Sequence, residues 1–334
     1  MTQTNIAADL ADTRLLAHRY DDARDDVHFL HVPWADRRDM PFLSDEAVRD
    51  KGPIRVIPAA TLSPSDVVAA PVHFIFHSAF CASTWLLRVL EQAGTSALSE
   101  PQILNDLIGA LRRGKPGADI ARVLDLALAL SARPERPGQA VVIKPSNLVN
   151  HLAKAMMALR PDSKAVFLFA PLDIFLASVA RKGLWCRLWV RELLGYQLDL
   201  GMIDMGFSTR DYLGMSDLQV AALGWMTQFQ LFETLETASQ GRLLRVDSEM
   251  LTQQPETSLD RICGHFGIAL EAEAFEQLLH SPVVNRHSKF GHSFSADDRL
   301  AERRQTLAAH GDEIEKVAHW AREVARQNGW PDLP

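Results

Sequence analysis

The segment PVHFIFHSAFCASTWLLRVL, residues 71–90, constrains this chain more than any other feature of its sequence. An apolar run ends at His77, a short loop follows, and Ser83 and Thr84 then open an amphipathic helix. A loop in this position presents main-chain N–H groups to an anion, and the positive end of the helix reinforces them. We therefore expect residues 77–85 to bind the phosphate of a nucleotide-like ligand.

Beyond Pro71, short apolar runs alternate with longer amphipathic segments, a pattern typical of βαβ units around a parallel sheet. The predicted strands are residues 73–77, 140–144, 165–169 and 242–246. The predicted helices are residues 84–93, 103–112, 118–130, 148–159, 172–181, 218–238 and 300–327. The sequence thus predicts an α/β fold with a P-loop-type parallel sheet flanked by helices.

The first part of the chain has a different character. Residues 1–70 combine short helical patterns with a stretch punctuated by prolines, and we interpret them as an N-terminal extension packed on a later core. Residues 71–334 are predicted to form the P-loop α/β domain itself.

Composition and charge exclude several classes of protein. Hydrophobic residues make up 47% of the 334 residues, which suits a globular core, and the net charge of −7 argues against nucleic-acid binding. The apolar runs are too short to cross a bilayer, and the start of the chain does not resemble a signal peptide. The three cysteines, Cys81, Cys186 and Cys263, form no CxxC pair, so we expect a cytoplasmic protein with neither disulfides nor zinc.

The loop departs from the nucleoside-triphosphatase pattern GxxxxGK[ST]. His77 and Ala82 stand where that pattern has glycine, Ser83 stands at the lysine, and only Thr84 matches. A P-loop kinase that uses ATP and magnesium is therefore an alternative with less support.

Other motifs are closer to a second family. The loop AFCASTW at 79–85 is similar to the PKSGTTW loop of sulfotransferases. Further similar segments follow in the family's order: LSEP at 98–101, VVIKPSN at 141–147, FAPLDIFLAS at 169–178 and RVDSEMLTQQPETSLDRICGHFGI at 245–268. The chain thus resembles the sulfotransferase family over most of its length. That resemblance implies a three-layer α/β/α fold and 3′-phosphoadenosine 5′-phosphosulfate (PAPS) as donor. It also implies sulfuryl transfer to a hydroxyl or amine of a small-molecule, lipid or glycan acceptor.

The resemblance also assigns the nucleotide contacts. The 5′-phosphate is expected at Phe80, Cys81, Ala82, Ser83 and Thr84. The 3′-phosphate is expected at Ser178, with Arg181 one helical turn further on, and Lys289 falls in a segment that resembles the family's nucleotide-covering loop.

Two of the family's cations are missing from this chain. Phe80 aligns with the loop lysine and Ala170 with the arginine of the 3′-phosphate motif. These losses leave open a non-catalytic nucleotide-binding protein as a further alternative.

Sulfuryl transfer needs a cation near the leaving phosphate and a base near the acceptor. Lys144 ends a predicted strand at the sheet edge where open α/β folds bind ligands, so it is expected to supply the cation. The alternative is a lysine that emerges into solvent. Glu100 and His77 are the candidate bases; the alternatives are a Glu100–Arg88 ion pair and a structural histidine. No metal is required.

Aromatic and basic residues interleave in the segment 181–197. Trp185 and Trp189 alternate with Arg187 and Arg191, an arrangement that suits an amphiphilic acceptor, but the helical spacing favours core packing of both tryptophans. The identity of the acceptor and the oligomeric state stay open at this level.

Overall fold

The computed structural model describes residues 3–51, 55–284, 296–330 and 332–334. The predicted segment containing Lys289 lies outside these residues. The strands are β1 Leu15–Asp21, β2 Asp26–His31, β3 Arg55–Pro58, β4 Val72–His77, β5 Ser96–Ser99, β6 Val141–Lys144, β7 Ala165–Phe169 and β8 Leu243–Asp247.

The helices follow the strands in alternation over much of the chain. The α-helices are α1 Gln3–Ala11, α2 Trp34–Asp39, α3 Ser83–Gln92, α4 Gln102–Arg112, α5 Gly117–Ser131, α6 Ala153–Leu159, α7 Leu172–Arg181, α8 Gly183–Asp199, α9 Thr209–Gly214, α10 Asp217–Ala238, α11 Ser248–Gln253, α12 Pro255–Phe266, α13 Ala272–Leu279 and α14 Ala296–Gln327. Short 3-10 helices are Ala59–Thr61, Pro64–Asp66 and Asn147–Leu152.

The central sheet has the strand order β5-β6-β4-β7-β8. β6 pairs in parallel with both of its neighbours, with Ile143 opposite Phe74 of β4 and Lys144 opposite Ser99 of β5. The strands β4, β6 and β7 are buried along their whole length, as expected of parallel strands covered on both faces. The predicted α/β fold with a parallel sheet flanked by helices is confirmed.

The connections around β4 create a topological switch point. After β4 the chain builds β5 and β6 on one side, and it then returns to build β7 and β8 on the other side. In open α/β sheets, ligands bind beyond the carboxyl ends of the strands at such a point. The loop that follows β4 therefore occupies the position that this topology reserves for a ligand.

One compact unit comprises Met1–Phe76, Ser83–Val166 and Arg261–Val284. It contains a second sheet, the antiparallel β1-β2-β3, where short helical pieces were expected from the sequence. That expectation is wrong for residues 15–31, because alternate positions of β2 bury Val27 and Phe29 against a core. The domain boundary at residue 70 stays a prediction.

The other compact unit comprises His77–Ala82, Phe167–Asp260 and Asn285–Pro334. Its core is aromatic: the rings of Phe167 and Phe232 stack with centroids 4.1 Å apart, and those of Trp225 and Phe229 with centroids 4.9 Å apart. The indole Nε1 of Trp225 donates to the main-chain oxygen of Ala170 at 2.9 Å. None of the helices in the described ranges has both the length and the apolar character needed to span a membrane.

Replacing Trp225 with Phe removes the donor that satisfies the buried oxygen of Ala170. We expect Trp225→Phe to lower the free energy of unfolding by about 2 kcal/mol, from the unsatisfied acceptor and the lost packing. Urea denaturation followed by circular dichroism measures this change. The matched control is Trp185→Phe, since Trp185 is 68% exposed and its truncation leaves no cavity. Equal losses in the two variants would contradict the assignment.

Candidate functional site

The loop after β4 has a left-handed backbone without any glycine. Ala79, Phe80 and Ala82 have φ angles of 72°, 52° and 60°. Each such conformation costs an L-residue roughly 1–2 kcal/mol, so the surrounding structure must hold it in place. Strain of this kind is concentrated at ligand-binding loops, where left-handed residues turn consecutive N–H groups toward a common anion.

Three hydrogen bonds fix the start of this loop. The Ser78 amide donates to the oxygen of Leu168 at 3.1 Å, and the Ser78 hydroxyl accepts from the amide of Ala170 at 3.1 Å. The amide of Ala79 donates to Nδ1 of His77 at 3.1 Å. Ser78 thereby ties the loop to the end of β7, and His77 closes its first turn.

The amides that follow are the candidates for binding an anion. Among the described residues, the N–H groups of Phe80 and Ala82 meet no hydrogen-bond acceptor. The amides of Ser83 and Thr84 belong to the first turn of α3, which has no acceptor within its own helix. Thr84 is a buried residue at the start of α3. Together with Cys81, these are the residues expected to hold the 5′-phosphate.

Phe80 packs its ring among residues from the helices that follow β7. Its centroid lies 5.8 Å from that of Phe175 and 5.6 Å from that of Trp189. The ammonium of Lys182 lies 5.3 Å from the centre of the same ring. Trp189 is half-buried against Phe80 rather than enclosed in the core, and the predicted core packing of Trp185 is wrong, because that side chain is exposed.

Lys144 and Glu100 form an ion pair at the ends of β6 and β5. Lys144 is 0% exposed and Glu100 is 21% exposed. The amide of Glu100 also donates to the oxygen of Lys144 at 2.6 Å, and Glu100 has a left-handed φ of 51°. The alternative of an ion pair between Glu100 and Arg88 is wrong, because the guanidinium of Arg88 donates to Glu91 at 2.9 Å. Burial also excludes the alternative of Lys144 as a solvent-facing lysine.

The N-terminal segment covers this ion pair. The ring of Phe42 lies 5.1 Å from the ammonium of Lys144. The amide of Leu43 donates to the oxygen of Ser99 at 2.8 Å, and the Ser99 hydroxyl donates to the oxygen of Pro41 at 2.6 Å. Glu100, rather than Lys144, therefore carries the accessible surface of the pair.

The residues expected at the 3′-phosphate lie on α7. Ser178 is half-buried, and Arg181 is paired with Glu302 of α14 at 2.8 Å. A phosphate that binds Arg181 must therefore compete with this carboxylate. In the part of the chain that the structure describes, no group of three or more His, Cys, Asp or Glu side chains is arranged to hold a metal ion.

Sequence reasoning missed Phe42 and Lys182. Phe42 stands in a proline-punctuated stretch far from Lys144 in the chain, and no sequence pattern links the two. Lys182 follows Arg181 directly, so the basic pair itself was the available signal.

The chain aligns with solved structures of sulfotransferases. The sulfotransferase domain from the curacin biosynthetic pathway is 13% identical; the alignment covers 80% of this chain and 100% of that one, with a TM-score of 0.44. The sulfotransferase domain of the Synechococcus olefin synthase is 14% identical over 73% of this chain and 96% of that one, with a TM-score of 0.41. A sulfotransferase from Mycobacterium tuberculosis is 15% identical over 73% and 77%, with a TM-score of 0.37. The sequence matches no protein-family model and no curated protein.

Neutralising Glu100 removes the carboxylate that pairs with the buried ammonium of Lys144. We expect Glu100→Gln to lower the free energy of unfolding by about 3 kcal/mol, the cost of breaking a buried ion pair from one side. Chemical denaturation measures this change in the free energy of unfolding. The matched control is Glu323→Gln, which removes an exposed pair with Arg326 and should leave stability unchanged. A Glu100→Gln protein as stable as the control would show that the pair is not buried in solution.

Proposed function

We propose that this protein is a sulfotransferase that transfers the sulfuryl group of PAPS to a hydroxyl or amine. The observation that carries the proposal is the strained loop after β4, where Ala79, Phe80 and Ala82 hold left-handed backbone conformations directly before the N-terminus of α3. Such a loop suits a phosphate held by main-chain donors. The Thr84–Trp85 ending and the serine at position 83 favour PAPS over a nucleoside triphosphate.

The reaction forms one bond, breaks one bond and moves one proton. The acceptor oxygen or nitrogen attacks sulfur, the bond from sulfur to the 5′-phosphate oxygen breaks, and the phosphate keeps the electron pair. The acceptor proton passes to a base. The moving group carries less charge than a phosphoryl group, so positioned hydrogen-bond donors can stabilise the departing phosphate without a metal ion.

Glu100 is the better of the two candidate bases. The Nδ1 atom of His77 already accepts the amide of Ala79, so a neutral His77 carries its proton on Nε2. His77 can take up a second proton only by breaking the bond that closes the loop. Glu100 lies at the same edge of the sheet and has accessible surface, so it can meet an acceptor without that cost.

Lys144 acts in this proposal mainly through Glu100. Its enclosed ammonium holds the Glu100 carboxylate by an ion pair and adds a positive charge at the edge where β4, β5 and β6 end. Ser178 and Arg181 are proposed to meet the 3′-phosphate, with Lys289 as a further contact. We further propose a cytoplasmic location, supported by three cysteines that form no disulfide.

The first test of the proposal is binding of 3′-phosphoadenosine 5′-phosphate in the presence of a chelator. At about one hundred times its dissociation constant, this bisphosphate should stabilise the protein by roughly 2.7 kcal/mol, which a thermal-shift titration detects. ATP with magnesium should give a smaller shift. A shift with magnesium-ATP and none with the bisphosphate would indicate a kinase instead.

Two threonine-to-valine variants test whether the phosphate binds at the start of α3. Thr84→Val removes the hydroxyl of a buried threonine at the head of α3 with little change of shape, and it should weaken bisphosphate binding about tenfold. Thr234→Val removes a hydroxyl that bonds only within α10 and should leave the affinity unchanged. If the protein binds the bisphosphate but transfers no sulfuryl group from PAPS to any hydroxyl or amine acceptor, the proposed activity is refuted. A non-catalytic nucleotide-binding protein is then the supported alternative.

The Lys144→Met protein separates positioning from ligand binding. Because Lys144 holds Glu100 rather than the ligand, we expect kcat to fall about 100-fold while the dissociation constant of the bisphosphate stays the same. Lys144→Arg, which keeps the charge, should recover part of kcat. Steady-state kinetics with PAPS and calorimetric titration of the bisphosphate measure the two quantities. Full turnover by Lys144→Met would remove Lys144 from the mechanism.

A further inference from the structure

The strand β1 contains a β-bulge at His18. Its residues pair with β2 in antiparallel order up to Ala17 and again from Arg19, and the register shifts between these two residues. Successive side chains of a regular strand point to opposite faces, whereas the extra residue of a bulge can turn its side chain toward that of its neighbour. The bulge explains how His18 and Arg19, which are adjacent in the chain, reach the same carboxylate.

That carboxylate belongs to Asp45. Its Oδ1 lies 2.7 Å from Nε2 of His18, and its Oδ2 accepts from Nη1 of Arg19 at 2.6 Å. The Nε of Arg19 donates at 2.8 Å to Asp106 of α4, which also accepts from the amide of Tyr20 at 2.8 Å. Asp45 is therefore held by a buried histidine and by an arginine that is itself fixed to α4. The name Asp45 clasp is used below for the side chains of His18, Arg19, Asp45 and Asp106.

The Asp45 clasp is next to the residues that cover the ion pair of Lys144 and Glu100. The ring of Phe42 lies 5.1 Å from the ammonium of Lys144, and the amide of Leu43 donates to the last residue of β5 at 2.8 Å. Asp45 stands two residues further along the same segment. All of these residues belong to one compact unit. Because the chain between Leu43 and Asp45 is so short, release of Asp45 loosens the backbone that carries Phe42.

A second proton on His18 opposes the Asp45 clasp. A carboxylate only accepts hydrogen bonds, so Nε2 of a neutral His18 carries the proton that faces Asp45. The second proton must go to Nδ1, which is buried and has no hydrogen-bond partner among the described residues. A buried N–H group without an acceptor costs free energy, so the closed clasp resists protonation of His18.

The surroundings of His18 set the direction of this effect. Burial is the largest influence and lowers the pKa of His18 below its usual value of 6.5. The carboxylates of Asp45 and Asp106 act in the opposite direction, and Arg19 adds to the lowering. The clasped form therefore binds a proton less readily than a form in which His18 is exposed to water. Above about pH 6.5 the clasp is complete, and falling pH favours the form that has released it.

We propose that Asp45 is the positioning residue that keeps the ion pair of Lys144 and Glu100 covered, and that His18 releases Asp45 when it takes up a proton. This inference goes beyond sulfuryl transfer, because it concerns the enclosure of the ion pair and not the chemistry at the phosphate. Where Glu100 acts as the proposed base, release of the clasp admits water to its carboxylate and weakens the hold of Lys144 on it.

Hydrogen exchange followed by mass spectrometry measures the cover directly. In the wild-type protein, the amides of residues 42–49 should lose about tenfold in protection between pH 7.5 and pH 5, after correction for the intrinsic exchange rate. His18→Gln keeps a neutral donor for Asp45 but cannot take up a proton, so its protection should stay constant over that range. Asp45→Ala should show the low protection already at pH 7.5.

The matched control is Asp50→Ala, which removes an exposed carboxylate from the same part of the chain and should behave as the wild-type protein. Amides of the buried helix α10 should stay protected in every variant, which distinguishes local release from global unfolding. Wild-type protection that is equal at the two pH values, or an Asp45→Ala protein as protected as Asp50→Ala, would overturn the inference and leave the proposed function intact.

Turnover of PAPS gives a second measurement of the same role. The acidic limb of the kcat profile should lie at lower pH in His18→Gln than in the wild-type protein, because the cover then no longer depends on a titrating residue. Coincident limbs would contradict a positioning role for the clasp. Absence of turnover in the wild-type protein would refute the proposed function, and the exchange experiment would still decide the inference.

Discussion

The backbone of the loop between β4 and α3 is the constraint on which the candidate site depends. Three residues with side chains hold left-handed conformations that glycine usually supplies, and packing and hydrogen bonding must offset that cost. Ser78 contributes through its main chain, which bonds to Leu168 of β7, and through its hydroxyl, which accepts from the amide of Ala170 just after that strand. Trp225 donates to the oxygen of the same Ala170, so the aromatic core that contains Trp225 supports the loop through Ala170.

Lys144, Arg181 and Lys182 lie in different environments. Lys144 is enclosed and paired with a carboxylate, which suits a residue that orients Glu100. Arg181 is exposed but paired with Glu302, so a ligand must exchange one anion for another there. Lys182 is held by an aromatic ring.

The sequence predicted those features of the structure that are determined by residues adjacent in the chain. The strand, loop and helix from β4 to α3 are consecutive, and their apolar pattern and the Ser83–Thr84 opening are local signals. β5 was missed because Ser96–Ser99 is short and half serine, so it lacks an apolar run. The pairing of Lys144 with Glu100 depends on the register of β5 against β6, which no local pattern encodes. Contacts such as Phe42 with Lys144 arise only from the tertiary fold.

The path of the N-terminal segment across the ends of β5 and β6 has a dielectric consequence. Arg88 of α3 binds the main-chain oxygens of Arg37 and Met40, which fixes this segment in front of the ion pair. Water is thereby replaced by an aromatic ring and by peptide groups that cannot reorient freely. Charges at that edge act on one another far more strongly than they would at an open surface. The N-terminal segment thus sets the strength of the electrostatic interaction between Lys144 and Glu100.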